Sequence, residues 1–162
     1  MDIKKTANLL INFTVRRLAE IFGIIIFVAG TLLLLALVYY SPEDPNFIFP
    51  DNTEIKNILG FHGSFVSDLF FQSIGLISYL VSLTLLITGI NILKTKEFFL
   101  IIENTFFAII YSILATLFLS HFYSNAFTLY INGNGGFVGN YFNQTFLSSL
   151  ILINKTIFYY LF

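Results

Sequence analysis

Apolar residues in this chain are grouped into long runs that polar segments separate. The first run, residues 21–40, reads IFGIIIFVAGTLLLLALVYY and carries no charge. An α-helix of about 20 residues rises roughly 30 Å, which is the thickness of the hydrocarbon core of a bilayer. A soluble helix of that length would show a polar face, and this run shows none. The pattern therefore predicts a membrane-spanning helix over residues 21–40.

Three more runs follow the first. Residues 69–93 and 98–122 are long enough to span, and the short polar turn 94–97 between them predicts an antiparallel hairpin. Residues 141–162 are apolar with polar interruptions, so they form either a fourth span or an interfacial helix leading into a span that the chain end shortens. The sequence thus predicts an all-α integral membrane protein, one domain over residues 1–162, with three to four transmembrane helices and short loops.

The polar loop 41–65 begins with two prolines. Pro42 and Pro45 end the first helix, because proline fixes its own φ and disfavours helix in the residue before it. Within this loop, residues 52–60 predict a short helix that Gly60 terminates. The second long loop, 123–140, is rich in Asn and Gly.

Composition supports the membrane assignment. Charged residues make up 10% of the chain and hydrophobic residues 57%, against roughly 25% charged residues in soluble domains. Eight basic residues at a net charge of −1 cannot form a broad cationic surface, so we expect no direct binding of nucleic acid. The absence of cysteine excludes disulfides, thiolate zinc sites and cysteine nucleophiles.

Basic residues are distributed unevenly between the loops. The N-terminal segment carries four and the 94–97 turn carries two, whereas the 41–65 loop has only Lys56 and the 123–140 loop has none. The positive-inside rule therefore predicts that the N-terminus and the turn face the cytoplasm. A secretory signal peptide is the alternative for the N-terminus, but the apolar run is too long and lacks a small-x-small cleavage pattern, which favours an uncleaved anchor.

Small residues recur along one face of the second span. Gly75, Ser78, Ser82 and Gly89 are spaced by three, four and seven residues. Small residues on a shared face let helices approach closely in lipid, so these positions predict a helix–helix seam, with chance as the alternative because Gly and Ser are common in spans.

Two acids, Glu20 and Glu103, lie near the predicted cytoplasmic ends of spans. An intramembrane acid is a functional candidate, but snorkelling or pairing with Arg16, Arg17 or Lys96 is favoured over a proton relay this close to the surface. His62 and His121 lack a nearby cluster of carboxylates, so we interpret them as interfacial side chains and predict no metal site.

Glycines at 133, 135, 136 and 139 raise a nucleotide-binding alternative. A phosphate-binding loop needs a Lys-Ser/Thr pair after the last glycine, and the dinucleotide fingerprint needs a G-x-G-x-x-G spacing that these glycines miss. Turn formation is the better interpretation, because glycine supplies the positive φ of tight turns. We expect no cofactor and no catalytic residue.

Several short motifs occur in a fixed order over residues 16–140. They are Arg16-Arg17-Leu18-x-Glu20, Tyr40-Ser41-Pro42-x-Asp44-Pro45, Asn57-x-Leu59-Gly60-x-x-Gly63, Ser67-Asp68, Gly75-x-x-x-Tyr79 and Gly135-Gly136-x-x-Gly139. This ordered set resembles the four-helix membrane domain of the FtsK/SpoIIIE DNA translocase family.

The resemblance implies a function. In that family the membrane domain anchors a hexameric ATPase that pumps chromosomal DNA at the bacterial division septum, while the anchor contacts other division proteins. The resemblance therefore implies a septal inner-membrane anchor and assembly module in cell division and chromosome segregation. Its implied partners are the lipid bilayer, other division proteins and further copies, joined through a motor.

No Walker A motif occurs in the sequence, so we expect an N-terminal piece of a longer translocase that is not itself an enzyme. The alternative function is a small transporter or channel subunit of the inner membrane. That alternative would require polar groups lining a path at mid-membrane, where the spans offer only Ser, Thr and Tyr.

Overall fold

The computed structural model describes residues 3–45, 54–123 and 132–147. The elements in chain order are α1 (Ile3–Val38), α2 (Gly60–Ile74), α3 (Ile77–Thr95), α4 (Phe99–Phe122) and α5 (Gly136–Phe142), followed by a π-helical segment, Asn143–Leu147. These described ranges contain helices and no strand, which confirms the all-α prediction.

Three of the described helices are long and apolar enough to cross a membrane: Asn8–Val38, Ile77–Thr95 and Phe99–Phe122. The spans predicted over 21–40 and 98–122 are therefore confirmed as helices. α1 extends further than expected, because its 36 residues give a length of about 54 Å. Of the predicted segment 141–162, residues 148–162 lie outside the described residues.

The prediction of one continuous helix over 69–93 is wrong. α2 ends at Ile74 and α3 begins at Ile77, because Gly75 adopts φ +59. A positive φ takes the chain out of the right-handed helix at little cost only for glycine. The backbone N–H of Leu76 then bonds the carbonyl oxygen of Asn134 at 2.9 Å instead of a helical carbonyl.

The short helix predicted to end at Gly60 is also wrong. Residues 54–56 have no regular structure, residues 57–59 form a bend and turn, and Gly60, with φ +65, is the first residue of α2. The backbone N–H groups of Lys56 and Asn57 are bound by the Asp44 carboxylate, which holds this segment outside a helix.

Close backbone contact joins α1 to α3. A Cβ at Gly89 would lie 2.6 Å from the Phe27 nitrogen, and a Cβ at Gly30 would lie 2.8 Å from the Leu86 nitrogen. Two glycines from opposite helices therefore let the backbones touch, which is the packing mode that lipid-embedded helices use.

The hairpin of α3 and α4 turns at Lys96, which adopts φ +61. Two hydrogen bonds tie its helices together. Asn104 Nδ2 donates to Thr88 Oγ1 at 2.9 Å, and the hydroxyls of Thr84 and Tyr111 lie 2.8 Å apart. These intramembrane polar groups are thus partnered within the bundle.

One apolar core lies at the end of the bundle that contains Tyr40, here called the Tyr40 end. Leu33, Leu37 and Phe71 are buried there. The centre of the Phe71 ring lies 4.8 Å from the centre of the Tyr40 ring and 5.5 Å from that of the Tyr79 ring. α2 therefore folds over the end of α1 and holds the start of α3 against it.

Candidate functional site

The Asp44 loop, residues 41–45 and 54–59, is organised by a buried carboxylate. Asp44 is 1% exposed. Its Oδ1 accepts the backbone N–H of Lys56 and its Oδ2 that of Asn57, both at 2.9 Å. Charge-assisted bonds of this kind are about twice as strong as neutral ones. One side chain therefore ties the two halves of the loop together.

Asn57 connects the Asp44 loop to α1 and α2. Its Nδ2 donates to the carbonyl oxygens of Ala36 at 2.9 Å and Tyr39 at 3.2 Å, and its Oδ1 accepts the N–H of Leu59 at 3.1 Å. The carbonyls at the end of a helix have no intrahelical partner, so Asn57 caps α1. A Cβ at Gly63 would lie 2.2 Å from Asn57 Oδ1, so the loop packs directly against α2.

Neighbouring residues of the loop differ in burial. Pro45 is buried and its carbonyl oxygen accepts a bond from the Ser64 hydroxyl at 3.1 Å, whereas Pro42 is exposed. Glu43 and Lys56 form an exposed ion pair. The hydrogen bond from Lys56 lowers the pKa of Glu43, and the same bond raises the pKa of Lys56.

Asp68 and Tyr79 fix the Tyr40 end from the other side. The Tyr40 hydroxyl donates to Asp68 Oδ1 at 3.1 Å, and Asp68 is 7% exposed. The Tyr79 hydroxyl donates to the carbonyl oxygen of Leu37 at 3.1 Å. Both hydroxyls therefore connect the end of α1 to α2 and α3.

The glycine junction is the point where Gly75–Leu76 meets residues 132–139 and the Thr116–Ser120 part of α4. A Cβ at Gly75 would lie 1.9 Å from the carbonyl oxygen of Asn134, and a Cβ at Gly136 would lie 2.6 Å from Gly75 N. Both glycines have positive φ. No other residue type fits either position without moving the backbone.

Two further glycines of the junction pack closely against α4. A Cβ at Gly135 would lie 2.1 Å from Ser120 Oγ, and a Cβ at Gly139 would lie 2.3 Å from the carbonyl oxygen of Thr116. These distances place the glycine backbone directly on α4, where Cα–H groups can contact oxygens. Ser120 and Thr116 are 2% and 0% exposed, so the contact is fully enclosed.

Asparagines complete the junction. Asn132 Nδ2 donates to the backbone carbonyl of Gln72 at 3.1 Å, Asn134 Nδ2 to that of Tyr123 at 2.7 Å, and Asn140 Nδ2 to that of Asn132 at 2.7 Å. Carbonyls at the ends of α2 and α4 thereby gain partners that helix termini otherwise lack.

Glu20 marks the opposite end of the bundle, here called the Glu20 end. Its carboxylate accepts from Arg17 Nη1 at 2.6 Å and Lys96 Nζ at 2.8 Å, so the predicted ion pair of Glu20 is confirmed. Glu103 is exposed on α4, and the described part of the chain gives it no ion pair. Arg16 is likewise exposed.

Neither histidine lies in a metal-ligand cluster within the described ranges. His62 is exposed on α2, and His121 Nδ1 lies 3.1 Å from Asn143 Oδ1. The described arrangement offers hydrogen bonding and close packing.

The predicted seam meets two different partners. Gly89 contacts α1, whereas Gly75 contacts the loop before α5. Ser78 and Ser82 between them are both 0% exposed. The Ser82 hydroxyl donates to the carbonyl oxygen of Tyr79 within α3, and the Ser78 hydroxyl donates to that of Gly75, two residues before α3 begins. Gly60 is the exception among the motif glycines, because a Cβ there would meet open space.

Sequence reasoning assigned no packing or site role to several residues that hold these sites. They are Tyr40, Asn57, Ser64, Thr116, Ser120, Asn132 and Asn134. The density of Asn and Gly in loop 123–140 was a signal for turns, but it carried no information about the partner helix.

Comparisons with known proteins show the family of the chain. The family described as the 4TM region of DNA translocase FtsK/SpoIIIE matches residues 15–161. The DNA translocase FtsK of Rhizobium meliloti is 26% identical over 140 residues, which is 86% of this chain and 16% of that protein. That of Caulobacter vibrioides is 36% identical over 69 residues, 43% of this chain and 8% of that protein.

A third relative, the DNA translocase FtsK of Rickettsia bellii, is 26% identical over 118 residues, 73% of this chain and 15% of that protein. The chain thus spans between 8% and 16% of the length of these curated relatives. No solved structure matches it. Since the family match covers nearly the whole sequence, the chain belongs to the family of the 4TM region of DNA translocase FtsK/SpoIIIE.

Proposed function

We propose that this chain is the membrane anchor and assembly module of a bacterial DNA translocase that acts in cell division and chromosome segregation. The observation that carries the proposal is the family match over residues 15–161, together with three helices able to span a membrane. The anchor sits in the inner membrane at the division septum with its N-terminus in the cytoplasm.

The two ordered sites at the Tyr40 end give the proposal a physical basis. The Asp44 loop is held by a buried carboxylate, and the glycine junction holds the loop before α5 against two helices. A rigid surface loses less conformational entropy on binding, which suits recognition of other division proteins in the periplasm. DNA and ATP are handled by a motor outside these 162 residues, and self-association of that motor would bring several anchors together.

The test is a fluorescent fusion of residues 1–162 in dividing bacteria, alongside ATPase and DNA-binding assays of the purified chain. We expect septal fluorescence without ATP turnover or DNA binding. Phosphoryl transfer needs a phosphate cradle and a cation that meets the developing charge, and the sequence has no Walker A motif. Uniform membrane fluorescence after correct insertion would contradict the anchor role. ATP turnover by the pure chain would contradict the proposal that a separate motor hydrolyses ATP.

A matched pair of variants sharpens this experiment. Asp44→Ala should disorder the Asp44 loop and reduce septal enrichment while the spans still insert, because its carboxylate binds both Lys56 and Asn57. Glu43→Gln, at the adjacent exposed position, should localise as the unchanged chain does. Equal localisation of the two variants would show that the ordered loop is not the recruiting surface.

A further inference from the structure

The first part of α1 projects beyond the rest of the described bundle. The bundle ends near Glu20, which binds Lys96 after α3, and near Phe22, whose ring lies 5.0 Å from that of Phe98. Every residue from 8 to 18 is exposed. Large apolar side chains between 47% and 64% exposed make up more than half of this segment: Leu9, Leu10, Ile11, Phe13, Val15 and Leu18.

These side chains are not distributed evenly around the helix. At 3.6 residues per turn, Asn8, Asn12 and Arg16 fall four residues apart and form one polar stripe. Leu9 and Phe13 lie beside it, and an apolar arc continues from them around the helix through Leu10 and Leu18 to Ile11. The segment is therefore an amphipathic helix whose apolar arc no other described residue covers.

Polar side chains within the apolar arc have partners inside the segment. The Thr14 hydroxyl donates to the carbonyl oxygen of Leu10 at 3.0 Å. Arg17 binds Glu20 at 2.6 Å and its guanidinium lies 5.1 Å from the centre of the Phe13 ring. Arg16, in contrast, lies on the polar stripe and makes no ion pair within the described ranges. The free charge is thus on the polar side and the compensated charge on the apolar side.

We propose that residues 8–18 of α1 bind the surface of an anionic bilayer leaflet at the Glu20 end, with the apolar arc in the lipid and Arg16 among the headgroups. The apolar arc is continuous with the exposed residues Ile21 and Ile24 of the span itself. Residues 1–20 carry four basic and two acidic side chains, so their charge complements an anionic surface.

Lipid binding requires the helix to turn away from the axis of the span. The Thr14 bond is of the type that often bends helices, because the hydroxyl competes for a carbonyl of the preceding turn. The proposal concerns this segment alone and does not depend on the septal role of the chain.

The sequence contains no cysteine, so single cysteines can carry an environment-sensitive fluorophore in the full chain. Phe13→Cys places the label in the apolar arc, and Asn12→Cys places it in the polar stripe as the matched control. The chain is reconstituted into vesicles of equal parts phosphatidylglycerol and phosphatidylcholine. Doxyl-labelled lipid should quench the label at 13 several-fold more than the label at 12, whereas aqueous iodide should show the reverse preference.

The contrast is the difference in quenching between the labels at 12 and 13, and further variants and vesicles identify its cause. Arg16→Gln or vesicles of phosphatidylcholine alone should reduce the contrast, and Arg16→Lys should restore it. Equal water exposure at 12 and 13 in the anionic vesicles would overturn the proposal. Contrast that disappears when labelled chains are diluted with unlabelled ones would also overturn it, since a second copy would then cover the arc. Unchanged contrast in phosphatidylcholine would overturn the role of anionic headgroups.

Discussion

Adjacent acids at positions 43 and 44 face different surroundings. Glu43 is exposed and pairs with exposed Lys56, while Asp44 is 1% exposed and accepts two backbone N–H groups. Exposed ion pairs contribute little because water screens them. Removing a buried carboxylate leaves its N–H donors without a hydrogen-bond partner, and this costs far more free energy than losing an exposed ion pair.

We therefore expect Asp44→Ala to destabilise the chain by about 3 kcal/mol, since two charge-assisted hydrogen bonds are lost at a buried site. Asp44→Asn should cost less, because its amide oxygen still accepts one bond. Thermal unfolding in detergent micelles measures both. An Asp44→Ala chain as stable as the parent would show that the described bonds do not hold the loop.

The pH dependence of the neighbouring pair has a defined sign. Because Lys56 lowers the pKa of Glu43 from its ordinary value of 4.5, the contribution of the pair is present above that value and is lost as the pH falls through the lowered pKa. Glu43→Gln should remove this pH dependence together with the pair's contribution, so the melting temperature at neutral pH should fall only slightly, because water screens an exposed pair. A large fall at neutral pH would contradict the expectation that this exposed pair contributes little.

At the scale of elements, two glycines with positive φ differ in what opposes a side chain at their positions. Gly60 has φ +65 with open space around its Cβ position, whereas Gly75 has φ +59 and faces the carbonyl of Asn134 at 1.9 Å. An alanine at Gly60 bears only the conformational cost of about 1–2 kcal/mol. An alanine at Gly75 also displaces backbone, which adds an overpacking cost of about 1–3 kcal/mol.

Gly75→Ala should therefore lower the unfolding temperature clearly more than Gly60→Ala does, in the same detergent. Gly135→Ala is a third case, because its φ is ordinary and only the contact with Ser120 and Thr116 opposes the new methyl group. Equal effects at 60 and 75 would mean that the glycine junction is loose enough to accept a side chain.

The contact between α1 and α3 leads to a prediction of its own. Gly89→Leu should force the two helices apart, since even a Cβ there would lie 2.6 Å from the Phe27 nitrogen. Ile87→Leu is the control, because Ile87 is 57% exposed and its replacement conserves volume. Resistance of the detergent-solubilised chain to protease should fall for the first variant and stay unchanged for the second.

The sequence predicted the spans better than the joints between them. Charge-free length is a local property, so α1, α3 and α4 could be located from composition alone. The break at Gly75 depends on Asn134, nearly sixty residues away, and no local pattern distinguishes a glycine at a break from one in a packed helix such as Gly89. Asp44 and the motif glycines were selected through family resemblance, whereas their hydrogen bonds and contacts required the structure.

At the scale of the whole molecule, the two ends of the bundle differ in charge. The Glu20 end carries Arg16, Arg17, Lys94 and Lys96, whereas the described part of the Tyr40 end carries Lys56 as its basic residue. Basic residues are retained on the cytoplasmic side of a membrane, so the positive-inside rule predicts that the Glu20 end lies there. The Asp44 loop and the glycine junction would then both face the periplasm, where partner proteins can reach them.

Cysteine labelling tests this orientation directly, because the chain has no cysteine of its own. Glu54→Cys and Glu97→Cys place single thiols at exposed positions of the Tyr40 end and the Glu20 end. A maleimide that crosses the outer membrane but not the inner membrane should label position 54 in intact cells. It should label position 97 only after the inner membrane is permeabilised. The N-terminus and the 94–97 turn carry six basic residues against one in the 41–65 loop, and the positive-inside rule predicts that the more basic side is cytoplasmic. The reverse pattern would place the Asp44 loop in the cytoplasm and remove the case for periplasmic recruitment.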